Sequence, residues 1–265
     1  MWGAILVPEL RKSMMLYRLD KLLGARVAAS DGEIGRIKDV YFDDQRWAVR
    51  YLVVDTGNWL TGRKVLIAAI SAGSIDWERN LVHVKLTKLQ VEASPNIDTD
   101  KPVSRQHESD LYDYYGYPYY WTGPYLWGAT PYPVSPVGPL PTAGSARGQN
   151  GTAPADPHLR SAKEVVGYHL LTSRDSVGHV EDFLFENATW AIRYLLVDTR
   201  NWQPGKHVAI PRQWIRGVDW TERVVNVDVS RDAVQTAPEY QSAVQFSRLH
   251  ETNLYSHYRR PGYWQ

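Results

Sequence analysis

Displaced by 143 residues, the sequence matches itself, and a chain made of two like segments is expected to fold as two like units. Trp47-Ala48-Val49-Arg50-Tyr51-Leu52-Val53-Val54-Asp55-Thr56 falls on Trp190-Ala191-Ile192-Arg193-Tyr194-Leu195-Leu196-Val197-Asp198-Thr199. Asn58-Trp59 then meets Asn201-Trp202, and Gly62 meets Gly205. Upstream, Gly24, Gly35 and Asp39 match Gly167, Gly178 and Asp182; downstream, Asp76-Trp77 matches Asp219-Trp220, all without a gap. The same offset carries His107-Glu108, Leu111-Tyr112, Tyr115, Pro118 and Tyr120-Trp121 onto His250-Glu251, Leu254-Tyr255, Tyr258, Pro261 and Tyr263-Trp264. Each copy is therefore a globular segment followed by an aromatic tail.

Within the first copy, Ala25–Ser30, Glu33–Phe42, Trp47–Thr56, Lys64–Ala68 and Leu81–Thr87 are rich in Val, Ile, Tyr and Trp and are separated by turn residues, which predicts strands. Val82, Val84 and Leu86 alternate with His83 and Lys85, the pattern of a strand with one face buried. Tyr51 to Val54 is apolar on both faces and should be the most buried strand. Asp31-Gly32 signals a tight hairpin turn, which Asp175-Ser176 does not repeat. Gly35 and Gly178 interrupt predicted strands and mark bulges or corners. Five or six short antiparallel strands in so few residues favour a closed barrel, because closure removes exposed edges. Arg105–Tyr115 and Gln245–Tyr258 could each form a short helix. From Thr122 to about Ala162 the composition turns to Pro, Gly, Ala, Ser and Thr, which predicts a surface linker; its Pro133 and Pro136 have the spacing of an aromatic-groove ligand, a spacing any Pro-rich linker produces.

Charge and cysteine content remove several classes of function. With 30 Lys+Arg against 29 Asp+Glu the net charge is +1, and neither copy is basic: residues 24–95 carry ten basic and nine acidic side chains, residues 167–238 eight and nine. No nucleic-acid partner is expected, since phosphate affinity needs accumulated cations. Without cysteine there is no disulfide framework, thiolate nucleophile or Cys-based metal site. No stretch approaches the ~20 apolar residues of a membrane span, and the opening apolar run lacks the order of a signal peptide. Met14 and Met15 stand as alternative starts to Met1. These features imply a soluble, cytoplasmic protein, or one peripheral to the inner membrane.

The run Leu23-Gly24, then Asp31-Gly32-Glu33-Ile34-Gly35-Arg36-Ile37-Lys38-Asp39-Val40, then Arg50-Tyr51-Leu52-Val53-Val54-Asp55 resembles the PRC-barrel family, whose fold occurs in the cytoplasmic domain of the photosynthetic reaction-centre H subunit and in the C-terminal domain of a ribosome-maturation factor. The resemblance covers roughly residues 20–92 and 163–235. It implies two small all-β barrels, and with the repeat and the change of composition the chain divides into a barrel over 16–95, an aromatic tail over 96–121, a Pro/Gly-rich linker over 122–162, a second barrel over 163–238 and a second tail over 239–265, an all-β class. It also implies protein–protein association, and it carries no catalytic residues to transfer.

Candidate chemistry is sparse. Gly57 to Lys64 superficially resembles a phosphate-binding loop, but lysine does not directly follow the second glycine, and the hydroxyl after it is absent. His179 and Glu181 share a strand face and could offer two metal ligands, but the matching pair is Arg36 and Lys38 and no third ligand stands nearby. Asp39, Arg50 and Asp55 recur as Asp182, Arg193 and Asp198; a catalytic acid pair is conceivable, yet a structural role at a barrel rim, paired or bonded to turn amides, fits better. No enzyme, cofactor or metal is expected. Trp59 and Trp202, each following asparagine (Asn58, Asn201) in a predicted loop, are the candidate interaction surface, with capping of a barrel end as the competing role. Trp121 and Trp264 should anchor the tails on the barrels. The leading functional reading is a non-enzymatic scaffold or adaptor in which two barrels pair and present a surface to a protein partner, with homo-oligomer formation open. The alternatives are a peripheral subunit or assembly factor of a reaction-centre-like membrane complex, and a ribosome-associated factor acting through a ribosomal protein.

Overall fold

The computed structural model describes residues 15–60, 62–95, 103–134, 158–172, 175–199 and 206–265, which divide into two units. The first unit spans residues 21–162; the second comprises 163–265 together with the segment ending at Asp20. Among the described residues no helix is long and apolar enough to cross a membrane.

Strand β1 is Leu16–Arg18; the first copy continues with β2 (Arg26–Ala29), β3 (Gly32–Asp43), β4 (Ala48–Asp55), β5 (Lys64–Ala68), β6 (Ala72–Asp76) and β7 (Leu81–Val84). The second follows the same plan with β8 (Leu159–Ser161), β9 (His169–Leu171), β10 (Ser176–Glu186), β11 (Ile192–Asp198), β12 (His207–Pro211), β13 (Ile215–Asp219) and β14 (Val224–Val227). In the first unit the order is β5-β4-β3-β2-β7-β6, and in the second β12-β11-β10-β9-β14-β13. Among the described residues no ladder joins the ends of either path. The expected all-antiparallel pairing is corrected at one place in each unit: β2 pairs with β7, and β9 with β14, in parallel. The chain reaches β7 only after passing through β3 to β6, a crossover long enough to bring it back in the same direction.

As expected, β4 is buried through Val54. The first hairpin forms with Ala29 opposite Gly32, but the positive φ (142°) falls on Gly32, outside the two central residues Ser30 and Asp31. Both predicted helices form, α1 as Arg105–Tyr115 and α2 as Arg248–His257. Ser104 caps α1 through the His107 amide, and Gly116 ends it in the left-handed region. Packed structure also runs past the expected start of the linker at Thr122: Trp127 is only 2% exposed, and two small bridges, Tyr125 to Gly128 and Trp127 to Thr130, shape the segment up to Val134. Residues 135–157 lie outside the described part.

One feature of the pairing escapes the strand pattern altogether. Long β3 and β10 are each flanked on one edge by two short strands. β2 covers β3 from Gly32 to Arg36, and β8 covers Tyr41 to Asp43; β9 covers β10 from Ser176 to His179, and β1 covers Leu184 to Glu186. The leading strand of each copy thus completes the sheet of the other.

Candidate interaction surfaces and the tail clasps

Each tail is held by the same set of side chains. In the first unit the Tyr51 hydroxyl donates to Glu108 Oε2 at 2.8 Å and the Tyr120 hydroxyl donates to it at 2.7 Å, while Arg105 lies 2.9 Å from Oε1. In the second, Tyr194 and Tyr263 donate to Glu251 Oε1 at 2.7 and 2.8 Å, and Arg248 lies 2.8 Å from Oε2. Both carboxyls are buried, so a strand tyrosine, a helix glutamate and a tail tyrosine form one desolvated network. Burial, with the nearby Glu108 charge, holds the Tyr51 and Tyr120 hydroxyls well above the usual tyrosine range; burial and Glu251 do the same to Tyr194 and Tyr263. These tyrosines stay protonated as donors at any physiological pH.

The expected tail anchors Trp121 and Trp264 are half-buried covers. Trp121 stacks on Tyr119 at 4.6 Å beneath the Arg105 guanidinium, and Trp264 packs against Tyr255 at 5.0 Å beneath Arg248. The deeper anchors are Tyr112, Tyr120 and Trp127 in the first unit and Leu254 and Tyr255 in the second.

The recurring charged residues do not assemble into one site. Arg50 is fully buried, away from any rim: it donates to Asp43 Oδ2 at 3.1 Å and to the Leu126 carbonyl at 2.9 Å, with its guanidinium 3.8 Å from the Tyr120 ring centre and 4.7 Å from that of Trp127. Arg193 pairs with Glu186 and covers the Tyr263 ring at 4.5 Å. These arginines are bolts between barrel and tail, aided by stacking. Asp55 accepts from the Gly57 amide at 2.9 Å and faces Lys38 at 3.6 Å. Asp198 is fully buried and lies 3.8 Å from His179. His179 and Glu181 take different partners, Asp198 and His207, and among the described residues no group of three or more His, Asp or Glu is arranged to hold a metal ion.

Asp39 and Asp182 instead greet the exchanged strands. Asp39 accepts from the Ser161 hydroxyl of β8 at 2.6 Å. Asp182 accepts from Arg18 Nε of β1 at 2.9 Å and from the Asp20 amide at 3.2 Å. Burial pushes the Asp182 carboxyl up to about 7, and the Asp20 charge adds to it, while the Phe183 amide and Arg18 pull the other way. The surrounding charged and titratable groups are Arg18, Asp20, Glu181, His207 and Tyr240. An unfolded aspartate titrates near 4, so folding takes up a proton between these values. The stabilising contribution is complete below the unfolded value and is lost as pH rises through about 7. The unfolding free energy of the wild type, from denaturant titrations, should therefore fall between about pH 4 and 7 by at most about 1.4 kcal/mol per pH unit and level off above that, and Asp182→Asn should flatten that slope. An equal slope in both proteins would show that Asp182 is not its source.

In the first unit the candidate interaction loop lies among the described residues except at Thr61. The Trp59 amide donates to the Thr56 carbonyl at 3.2 Å, and Gly57 and Gly62, with φ of 56° and 76°, turn the chain back toward β5. Arg63 ties the loop to the end of the short helix Lys88–Glu92 through the Glu92 and Ser94 carbonyls. That places the Lys88 ammonium 4.7 Å from the centre of the half-buried Trp59 ring, with Asn58 and Leu89 exposed, Leu89 at 71%. Asn201 and Trp202 lie outside the described residues.

No curated protein matches the chain. The family model for the PRC-barrel domain, however, matches it twice, over residues 14–91 and 157–234. Those two spans cover more than half the sequence and hold the fourteen strands found among the described residues, and the chain belongs to the PRC-barrel domain family as a tandem duplication.

Proposed function

We propose that this chain is a non-enzymatic interaction module, an adaptor whose first unit offers the surface formed by Asn58, Trp59, Lys88 and Leu89 to a protein partner. The observation that carries this reading is the half-buried Trp59 ring under the Lys88 ammonium, 4.7 Å from its centre, with the next helix residue, Leu89, a large aliphatic side chain left 71% exposed. Aromatic and aliphatic groups ringed by polar ones are what interface centres are made of, and PRC-barrel domains are often interaction modules. The Lys88 ammonium favours a partner that brings an acidic group next to an apolar one.

The test is affinity capture with tagged full-length chain, followed by binding of each purified candidate to wild type and to Trp59→Ala/Leu89→Ser. Stability should change by less than about 1 kcal/mol, as for surface positions, while binding should weaken at least about tenfold, as for an interface centre. Undiminished binding would remove this surface from the reading. Reaction-centre subunits or ribosomal proteins among the captured partners would turn the adaptor toward a membrane complex or the ribosome.

A further inference from the structure

The family span of each copy begins before its leading strand, at residues 14 and 157, so β1 and β8 belong by sequence to their own domains. By structure each lies in the unit built from the other copy, and in the same register. Leu16, Tyr17 and Arg18 oppose Glu186, Phe185 and Leu184; Leu159, Arg160 and Ser161 oppose Asp43, Phe42 and Tyr41. An element handed over reciprocally in identical register is how two copies of one domain exchange strands. Here the two copies happen to share a chain.

The two slots differ in charge. Arg18 on β1 lies 3.2 Å from Glu181 and 2.9 Å from Asp182. In the slot on β3 the corresponding residues are Lys38 and Asp39, and the incoming strand brings Ser161 in place of Arg18. Arg160 of β8 pairs with Asp44 at 3.1 Å, where the other slot has Asn187 and β1 has Tyr17. Placing β1 on β3 would set Arg18 against Lys38, and placing β8 on β10 would leave Glu181 and Asp182 without their arginine. Each slot thus rewards one strand and penalises the other.

We propose that these slots are strand-recognition sites for a second copy of this chain: β1 of one molecule enters the β10 slot of another, selected by Arg18, so that the protein self-associates by the exchange it performs internally. This site is separate from the Trp59 surface, and either can fail alone. Because the intrachain strand is present at an effective concentration of about millimolar, exchange between molecules needs concentrated protein and a trap.

The chain has no cysteine, which makes the trap selective. Met15 and Asn187 are the next residues beyond the Leu16–Glu186 pair, and the Asn187 amide donates to the Met15 carbonyl at 3.1 Å. First, the full-length Met15→Cys/Asn187→Cys variant should close within one chain on mild oxidation; failure to close would place β1 elsewhere and overturn the proposal. Second, full-length Met15→Cys and Asn187→Cys chains, mixed at about millimolar concentration and oxidised, should accumulate a disulfide joining 15 of one chain to 187 of the other, mapped by peptide mass. Adding Arg18→Ser to both should lower that yield at least about tenfold, since losing one partner of a desolvated pair releases the bound strand. Closure within the double variant with only collisional cross-linking in the mixture would show that exchange is confined to one chain, and an Arg18→Ser yield equal to the parent's would remove the charge selection.

Discussion

Valine at Gly35 or at Gly178 is expected to unfold its own unit, at a cost of at least about 3 kcal/mol. Two penalties combine. Gly35 has φ of 152° and Gly178 131°, where a β-branched residue is strained by about 1–3 kcal/mol. Both also lie against the backbone of the neighbouring strand. A Cβ at Gly35 would meet the Asp55 carbonyl head on, 2.9 Å from its carbon and 3.0 Å from the Thr56 Cα; one at Gly178 would meet the Asp198 carbonyl and lie 3.0 Å from Val197 Cγ1. Overpacking a site that cannot yield costs about 1–3 kcal/mol more, and the obstacle here is backbone of the central strands β4 and β11. Alanine carries most of the same clash, so Gly35→Ala should be nearly as damaging, in contrast to alanine at Gly24, where nothing lies within 4 Å and only the strain of a φ of 79° remains. Thermal unfolding should show one transition lowered and the other kept in each single variant. Unchanged midpoints at Gly35→Ala would refute the close approach.

These glycines were legible because the duplication kept them inside a run of strand-forming residues. So were the two-sided apolar strand at Tyr51–Val54 and the tail helices, whose matched Leu and Tyr positions had no reason to recur in an unstructured tail. Other features were hidden for identifiable reasons. β1 and β8 are three residues long, so no periodicity marks them, and a match at constant offset cannot say which copy's strand enters which sheet. Trp47 and Trp190 adopt φ of 54° and 60°, a conformation propensity never assigns to tryptophan; the turns before them impose it, with each amide returning to the Asp43 or Glu186 carbonyl at 2.7 Å. Arg50 read as a rim charge because strand patterns show alternation and not depth. Its acidic partner could have been found, since Asp43 and Glu186 keep their charge at the shared offset, as Glu108 and Glu251 do.

The second large effect concerns those two glutamates. Glu251→Ala should destabilise the second unit by about 3–5 kcal/mol, the range for removing one member of a buried charged pair, because it leaves the Tyr194 and Tyr263 hydroxyls without their acceptor and Arg248 without its carboxylate. Glu108→Ala should do the same in the first unit, where Tyr51, Tyr120 and Arg105 lose their common partner. Glutamine is the informative contrast: it keeps an acceptor for the tyrosines but gives up the charge, so a cost nearer 1–2 kcal/mol is expected. Phenylalanine at Tyr194 removes one donor and leaves the glutamate its other partners, so Tyr194→Phe and Glu251→Ala should be strongly non-additive, as members of one network are. Hydrogen exchange locates the effect. In Glu251→Ala the amides of α2 and of residues 258–264 should exchange faster than those of β11, because the tail detaches before the sheet opens. A tail that stays protected, with an alanine cost below about 1 kcal/mol, would mean that Leu254, Tyr255 and Trp264 hold it by packing alone and that the buried carboxylate is incidental to the clasp.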